Sequence, residues 1–265
     1  MDDSSNAGGK TIQSVETALA VVDAIRAHEP VGLTTIAAEV DCSKSTVHHH
    51  VTTLLKQGYL VRAGGKYSLG PVFLSLGGQV RARQALFRFG RDAVDSLADR
   101  TGEQARLVVE CDDAAVTLYQ VPGERGHATD THVGTSEPLY CTAAGKAFLA
   151  DRTDGGVDAY LDGRDLEAHT ADTVTDAPAL RDELRSIRAD GVSFDDGERY
   201  AGVRSVASTV GTGAGSPPGA VVLSAPVERM DDERFLVTAP EEVQSVAGTI
   251  ASDVTRAEGA NPEHD

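Results

Sequence analysis

Three adjacent histidines, His48, His49 and His50, are the most conspicuous groups in the chain that could do chemistry. A histidine cluster can hold a metal ion or face a polyanion. Neighbouring residues on a helix point about 100° apart, and two ligands on one helix need a spacing such as i, i+4. No histidine stands at 44, 45, 52, 53 or 54, so the run cannot close on one ion and no metal site is expected. Elsewhere, His127, His132, Cys141 and Asp195 are the residue types of an acyl or amide hydrolase, but no spacing fixes a nucleophile against a base. Gly145 and Lys146 lack the earlier glycine and the following Ser/Thr of a phosphate-binding loop, so Lys146 is expected to be solvated or paired. The stretch "GTGAGSPP" has no helix after it, which argues against a dinucleotide site and for a mobile loop. The expectation is no catalytic residue, no cofactor and no enzyme.

Charge favours the polyanion. The chain carries 24 basic and 41 acidic residues, a net charge of −17. From Cys42 to Gly90 there is no Asp or Glu. Lys44, Lys56, Arg62, Lys66, Arg81, Arg83 and Arg88 give that window +7, so the rest of the chain carries −24. A nucleic-acid phosphate backbone is the natural reason to keep acids out of it. Only five of the basic residues are Lys. An acidic, Lys-poor surface suits molar salt, where solubility needs strongly hydrated charge, and a halophilic source is expected. The three cysteines, Cys42, Cys111 and Cys141, are scattered and odd in number, which fits a reducing cytoplasm better than a disulfide framework. Residues 1–9 read as a disordered tail, not a signal peptide. No apolar run is long enough for a membrane span.

Helical periodicity runs through "TIQSVETALAVVDAIRAH", with apolar residues at Ile12, Val15, Leu19, Val22 and Ile25. A short second helix follows with Thr34 as its expected N-cap, then a tight "DCS" connection and a third helix from Lys44 to Gln57. Ser43 is placed to cap that helix and Gly58 to end it. "YLVR" and "KYSL" around "AGG" read as a hairpin. Three helices and a hairpin make a winged helix-turn-helix. On the third helix Val47, Val51, Leu54 and Leu55 share one side. Ser45, His49, Thr52, Thr53 and Lys56 fall opposite, flanked by Thr46 and His48. That face is polar, basic and free of acid, as a helix entering the major groove requires. The expected DNA-binding set is Ser43, Lys44, Ser45, Thr46, His48, His49, Thr52 and Lys56, with Arg62 and Lys66 on the wing. His50 is expected to pack. Arg81, Arg83 and Arg88 either reach flanking phosphates or coat their helix.

The remainder reads as a linker helix with weak points at Gly77–Gly78 and Gly90, then strands and helices interspersed around an antiparallel sheet. The expected fold class is α+β, with these boundaries: winged helix 10–70, linker helix 71–84, a second α/β domain 85–258, and a disordered tail 259–265.

With these pieces in register, the chain resembles the IclR family of transcriptional regulators over about residues 10–258. The resemblance rests on "TIQSVETALAVVDAI", "LTTIAAEVDCSKSTVHHHVTTLLKQGYL", "KYSLGPVFLSLG", "PLYCTAAGKAFLA", "IRADGVSFDDGERYAGVRSVAS" and "GAVVLSAP". It implies a GAF-like C-terminal domain binding a small-molecule effector, often a carboxylate or catabolic intermediate, at Ala143, Ala144, Asp195, Ser205 and Ser224. Some members carry Cys where Ser205 stands and Ser where Val222 stands. It also implies homodimers or homotetramers on double-stranded operator DNA, acting as repressors or activators in the cytoplasm. The alternative is a constitutive DNA-binding protein whose second domain only dimerises. Cys141 reads as a small buried residue, and by composition alone Asp195 and Asp196 could be ordinary acidic surface.

Overall fold

The computed structural model describes residues 11–126, 128–211 and 218–259. The expected tails at 1–9 and 260–265, most of the glycine-rich loop at 211–218, and His127 lie outside the described residues. The chain divides between Val80 and Arg81 into two compact units.

The first unit holds α1 (Gln13–His28), α2 (Leu33–Glu39), α3 (Lys44–Lys56), β1 (Leu60–Ala63) and β2 (Lys66–Leu69). Val21, Ala24, Ile25, Ile36, Val47, Val51 and Leu60 form its core, with Leu54 and Leu55 packed at the edge. Ser43 caps α3 as expected, its Oγ accepting the Thr46 N–H at 3.1 Å. After α3, Gly58 turns the chain at φ +77°, the left-handed conformation that favours glycine. Thr34 is not the cap of α2. Val31 is tied to Tyr67 by two backbone hydrogen bonds, and the chain enters the helix directly after it with Gly32 at the N-cap and no side-chain cap. Gly70 lets the end of the wing pass against the end of α3, for a Cβ there would sit 2.1 Å from the Gly58 carbonyl oxygen.

Two helices follow, α4 (Val72–Arg83) and α5 (Ala85–Thr101). The expected weak points do not break them. Gly77 and Gly78 lie inside α4, and Gly90 is a packing position in α5, where a Cβ would meet Leu107 and Ile250 at 3.0–3.2 Å. The break falls at Gln84, which is extended at φ −71°, ψ 121°.

The second unit is built on β3 (Gln104–Cys111), β4 (Ala114–Val121), β5 (Ser136–Pro138), β6 (Ser193–Asp196), β7 (Val203–Val210) and β8 (Gly219–Pro226). They form one antiparallel sheet in the order β5-β4-β3-β8-β7-β6. The helices are α6 (Ala143–Asp151), α7 (Asp154–Leu161), α8 (Ala177–Asp190) and α9 (Ala239–Gly259), with a 3-10 turn at Val227–Arg229 and a π-helical turn at Arg234–Thr238. Strand residues alternate between two cores. Leu107, Val206, Val221 and Leu223 pack with α5 and α9. Val108, Ala207, Ala220 and Val222 pack with α6, α7 and α8.

Candidate functional site

The first candidate surface is α3 with its wing. Lys44, Ser45, Thr46, His48, His49 and Lys56 are exposed, and Val47 and Val51 on the opposite side are buried. His50 is half-buried, so the three histidines separate into two that face out and one that packs. Two members of the expected set have their hydroxyls engaged locally. The Ser43 Oγ serves the cap, and the Thr52 hydroxyl donates to the His48 carbonyl at 2.7 Å. The first turn of α3 contains no acid, and its leading N–H groups, with the helix dipole, favour a phosphate. Arg62 and Lys66 are exposed on the two wing strands, which turn through Gly64 and Gly65 at φ +58° and +81°. Arg81 and Arg88 stack over Phe87 and Phe89 at 4.8 Å and 5.3 Å from the ring centroids.

The second candidate site is buried. Register places Gln104 opposite Ser224, Ser224 opposite Ser205, and Ser205 opposite Asp195. These four polar side chains form one row across β3, β8, β7 and β6, each at most 4% exposed. The row lies on the sheet face that carries Ala207 and Val222, the face covered by α6. The Ser205 and Ser224 hydroxyls are 2.8 Å apart. Asp195 Oδ1 accepts the backbone N–H of Glu198 at 2.8 Å and of Arg199 at 3.4 Å. Burial pushes the Asp195 carboxyl up to about 7, against the pull of Lys146. Asp195 is therefore no part of the acidic surface, whereas Asp196 is exposed and bonds to Arg204.

Ala143 and Ala144 open α6 and are buried. The helix is capped by Thr142, whose Oγ1 accepts the Gly145 N–H at 3.2 Å. A Cβ on Gly145 would stand 2.3 Å from Leu139 Cα, so glycine is what lets the incoming chain lie against this turn. Lys146 is paired rather than solvated: it is 1% exposed and bonds to Glu183 and Glu198. Burial works to lower its pKa, but the two carboxylates outweigh burial and keep it charged. Cys141 is fully buried, and burial pushes its thiol up to about 12, which leaves it no thiolate for nucleophilic work near neutral pH.

Sequence reasoning missed Gln104, Arg106, Glu137, Arg199 and Tyr200. Gln104 Oε1 accepts the backbone N–H groups of Ala128 and Thr129 at 2.8 and 3.0 Å. Arg106 Nη1 donates to Glu137 Oε2 at 3.2 Å and Nη2 to Ser224 Oγ at 3.4 Å. Arg199 Nε donates to Glu137 Oε1 at 3.3 Å. The Tyr200 hydroxyl is pushed up to about 12, by burial first and then by bonding to Glu137. The signal was present: Arg106 is a lone charge inside the apolar strand "ARLVVEC". A surface groove of about 240 Å³ between α7 and α8 is a different place, lined by Arg181, Arg188, Asp154 and Asp158 in ion pairs.

A winged helix with an exposed acid-free third helix, beside an α+β unit with a buried polar row, defines a two-unit DNA-binding regulator. The chain belongs to the IclR family of transcriptional regulators. Residues 14–64 match the IclR helix-turn-helix domain and residues 79–252 the bacterial transcriptional regulator IclR C-terminal domain. The HTH-type regulator ArcR of Halobacterium salinarum is 30% identical over 92% of this chain and 95% of its own. The transcriptional repressor IclR of Escherichia coli is 28% identical over 94% and 90%. Among solved structures, a regulator from a Rhodococcus species superposes with a TM-score of 0.82 at 26% identity, covering 93% of this chain and 100% of its own. An IclR homologue from Microbacterium hydrocarbonoxydans, complexed with 4-hydroxybenzoate, shares the fold with a TM-score of 0.79 at 19% identity, covering 92% and 99%. The protein is a DNA-binding transcriptional regulator and not an enzyme.

Proposed function

We propose that the protein binds double-stranded operator DNA through α3 and the wing, and that a small-molecule effector seated at the buried polar row modulates that binding. Lys44, Ser45, Thr46 and His49 are the base and phosphate contacts nearest the start of α3, with His48 and Lys56 beside them. Ser43 and Thr52 act through the backbone of α3. Arg62 and Lys66 meet flanking phosphates. Residues 10–70 read DNA, 71–84 link, and 85–258 bind the effector, in the cytoplasm of a halophile. The acidic remainder of the chain and the Halobacterium relative support that setting.

One observation carries the effector half of this reading. A domain that only dimerises has no need to bury Gln104, Ser224, Ser205 and Asp195 in one row, and burying polar groups costs stability unless a partner uses them. The 4-hydroxybenzoate complex of the Microbacterium homologue supports an organic ligand in this fold. Self-association is supported by Ile12, Val15 and Leu19 on α1 and Leu74 and Val80 on α4, each more than half exposed. Two half-sites about 34 Å apart must be met together, so a small change in the spacing of two α3 helices weakens operator binding.

The test is titration of the full chain with DNA from its own upstream region at molar KCl, with and without candidate metabolites. Effector modulation predicts an operator affinity that moves with ligand. An affinity that no metabolite changes supports the constitutive alternative.

A further inference from the structure

The second unit buries two ion clusters of opposite balance. Around Lys146, one ammonium meets two carboxylates, Glu183 and Glu198. That cluster is closed, with no donor left over for an anion. Around Glu137, one carboxylate is shared by two guanidiniums, Arg106 and Arg199. This cluster holds a positive charge in excess. The Arg106 side chain is 7% exposed, and its Nε–H meets no partner among the described residues. Arginine cannot shed its charge by losing a proton, and a buried charge without a counter-ion is costly.

The geometry of the excess is specific. Nε and Nη2 form one edge of the guanidinium, the fork that takes a carboxylate through two parallel hydrogen bonds. On Arg106, Nε is unpaired and Nη2 reaches only the Ser224 hydroxyl, at 3.4 Å. Ser224 belongs to the polar row, so the open edge borders the groups already assigned to the effector. Beyond it, the Ser205–Ser224 hydroxyl pair and Asp195 suit a hydroxyl or carbonyl on the same ligand.

We infer that the open edge of Arg106, helped by Arg199, receives the carboxylate of the effector, and that Glu137 is an internal carboxylate that holds the two guanidiniums until the ligand arrives. The effector class is then a small hydroxy or keto carboxylic acid. The inference rests on the reading of the polar row as the effector site. It makes Glu137 a competitor of the ligand, where a purely structural Glu137 would be its helper.

The test uses the full-length protein at molar KCl, with calorimetric titration of acid–amide pairs: 4-hydroxybenzoate and 4-hydroxybenzamide, lactate and lactamide, pyruvate and pyruvamide. The wild type should bind at least one acid ~10-fold or more tighter than its amide, the size expected of a charge-assisted pair. Arg106→Gln should erase that preference. Glu137→Gln should tighten binding of the acid and leave the amide unchanged. Because Arg106→Gln may not fold, the sign of the Glu137→Gln effect decides by itself: weaker acid binding overturns the inference. Equal binding of acid and amide by the wild type overturns it as well, and leaves the effector reading standing. No binding by any of the six compounds counts against both.

Discussion

The outer face of α3 and the polar row of the sheet are both built from hydrogen-bonding side chains, yet they stand on opposite sides of the solvent boundary. Lys44, Ser45, His49 and Lys56 remain in water, so they can be exchanged at little cost to folding. Gln104, Ser224, Ser205 and Asp195 are removed from water and depend on one another and on backbone N–H groups. The difference separates function from stability in the first unit and joins them in the second. A substitution on α3 should change what is bound, whereas one in the row should also change how the domain folds.

The largest test of that contrast is deletion of residues 1–70. DNA binding should vanish while ligand binding by the rest of the chain survives, measured by fluorescence anisotropy and calorimetry. Loss of both would show that the units do not work independently.

Next is the pH dependence of folding. Asp195 titrates near 7 in the folded chain and near 4 when unfolded. Between those values the unfolded chain has released the proton and the folded chain still holds it, so stability falls as pH rises across this window. The full penalty, reached above pH 7, is on the order of 4 kcal/mol. Denaturant midpoints from pH 4 to 8 should decline in the wild type, and the Asp195→Asn variant should be flatter and more stable at pH 8. Parallel profiles would deny that Asp195 is buried at this cost.

A smaller effect is expected on α3. His49→Ala should weaken operator binding roughly tenfold, the low end for loss of a base contact, with the melting temperature unchanged. His50→Ala should instead lower the melting temperature before it lowers affinity. The reverse order would exchange their roles. The smallest effects belong to the wing: Arg62→Ala and Lys66→Ala should each weaken all DNA sequences alike by a few-fold and reduce the salt slope by about one unit. Molar salt nearly extinguishes the counterion-release contribution, so operator binding that persists from low to molar KCl supports dependence on base contacts and on paired half-sites. Complete loss at molar KCl would refute it.

The same contrast explains what could be read in advance. The winged helix was legible because its signals are local: a capping Ser43, apolar Val47 and Val51 at helical spacing, Gly64–Gly65 in the turn, and a window without acids. The polar row was not legible from spacing, since Gln104, Asp195, Ser205 and Ser224 meet only through strand register across 120 residues of chain. Asp195, Ser205 and Ser224 were reached through family resemblance. Arg106, Glu137 and Arg199 were not reached at all, because their pairing depends on a three-residue edge strand and a loop with no periodicity of their own. Short elements such as β5, β6 and α7 escaped for the same reason, and Thr34 was misplaced because the pairing of Val31 with Tyr67 decides where α2 begins.

The central claim is a coupling between two sites, and coupling is reciprocal. The decisive measurement is therefore a closed cycle on the full-length protein: operator affinity with and without saturating ligand, and ligand affinity with and without saturating operator. The account predicts the same factor in both directions, well away from one and on the order of 5–150-fold. A factor of one, with both partners bound, would contradict it.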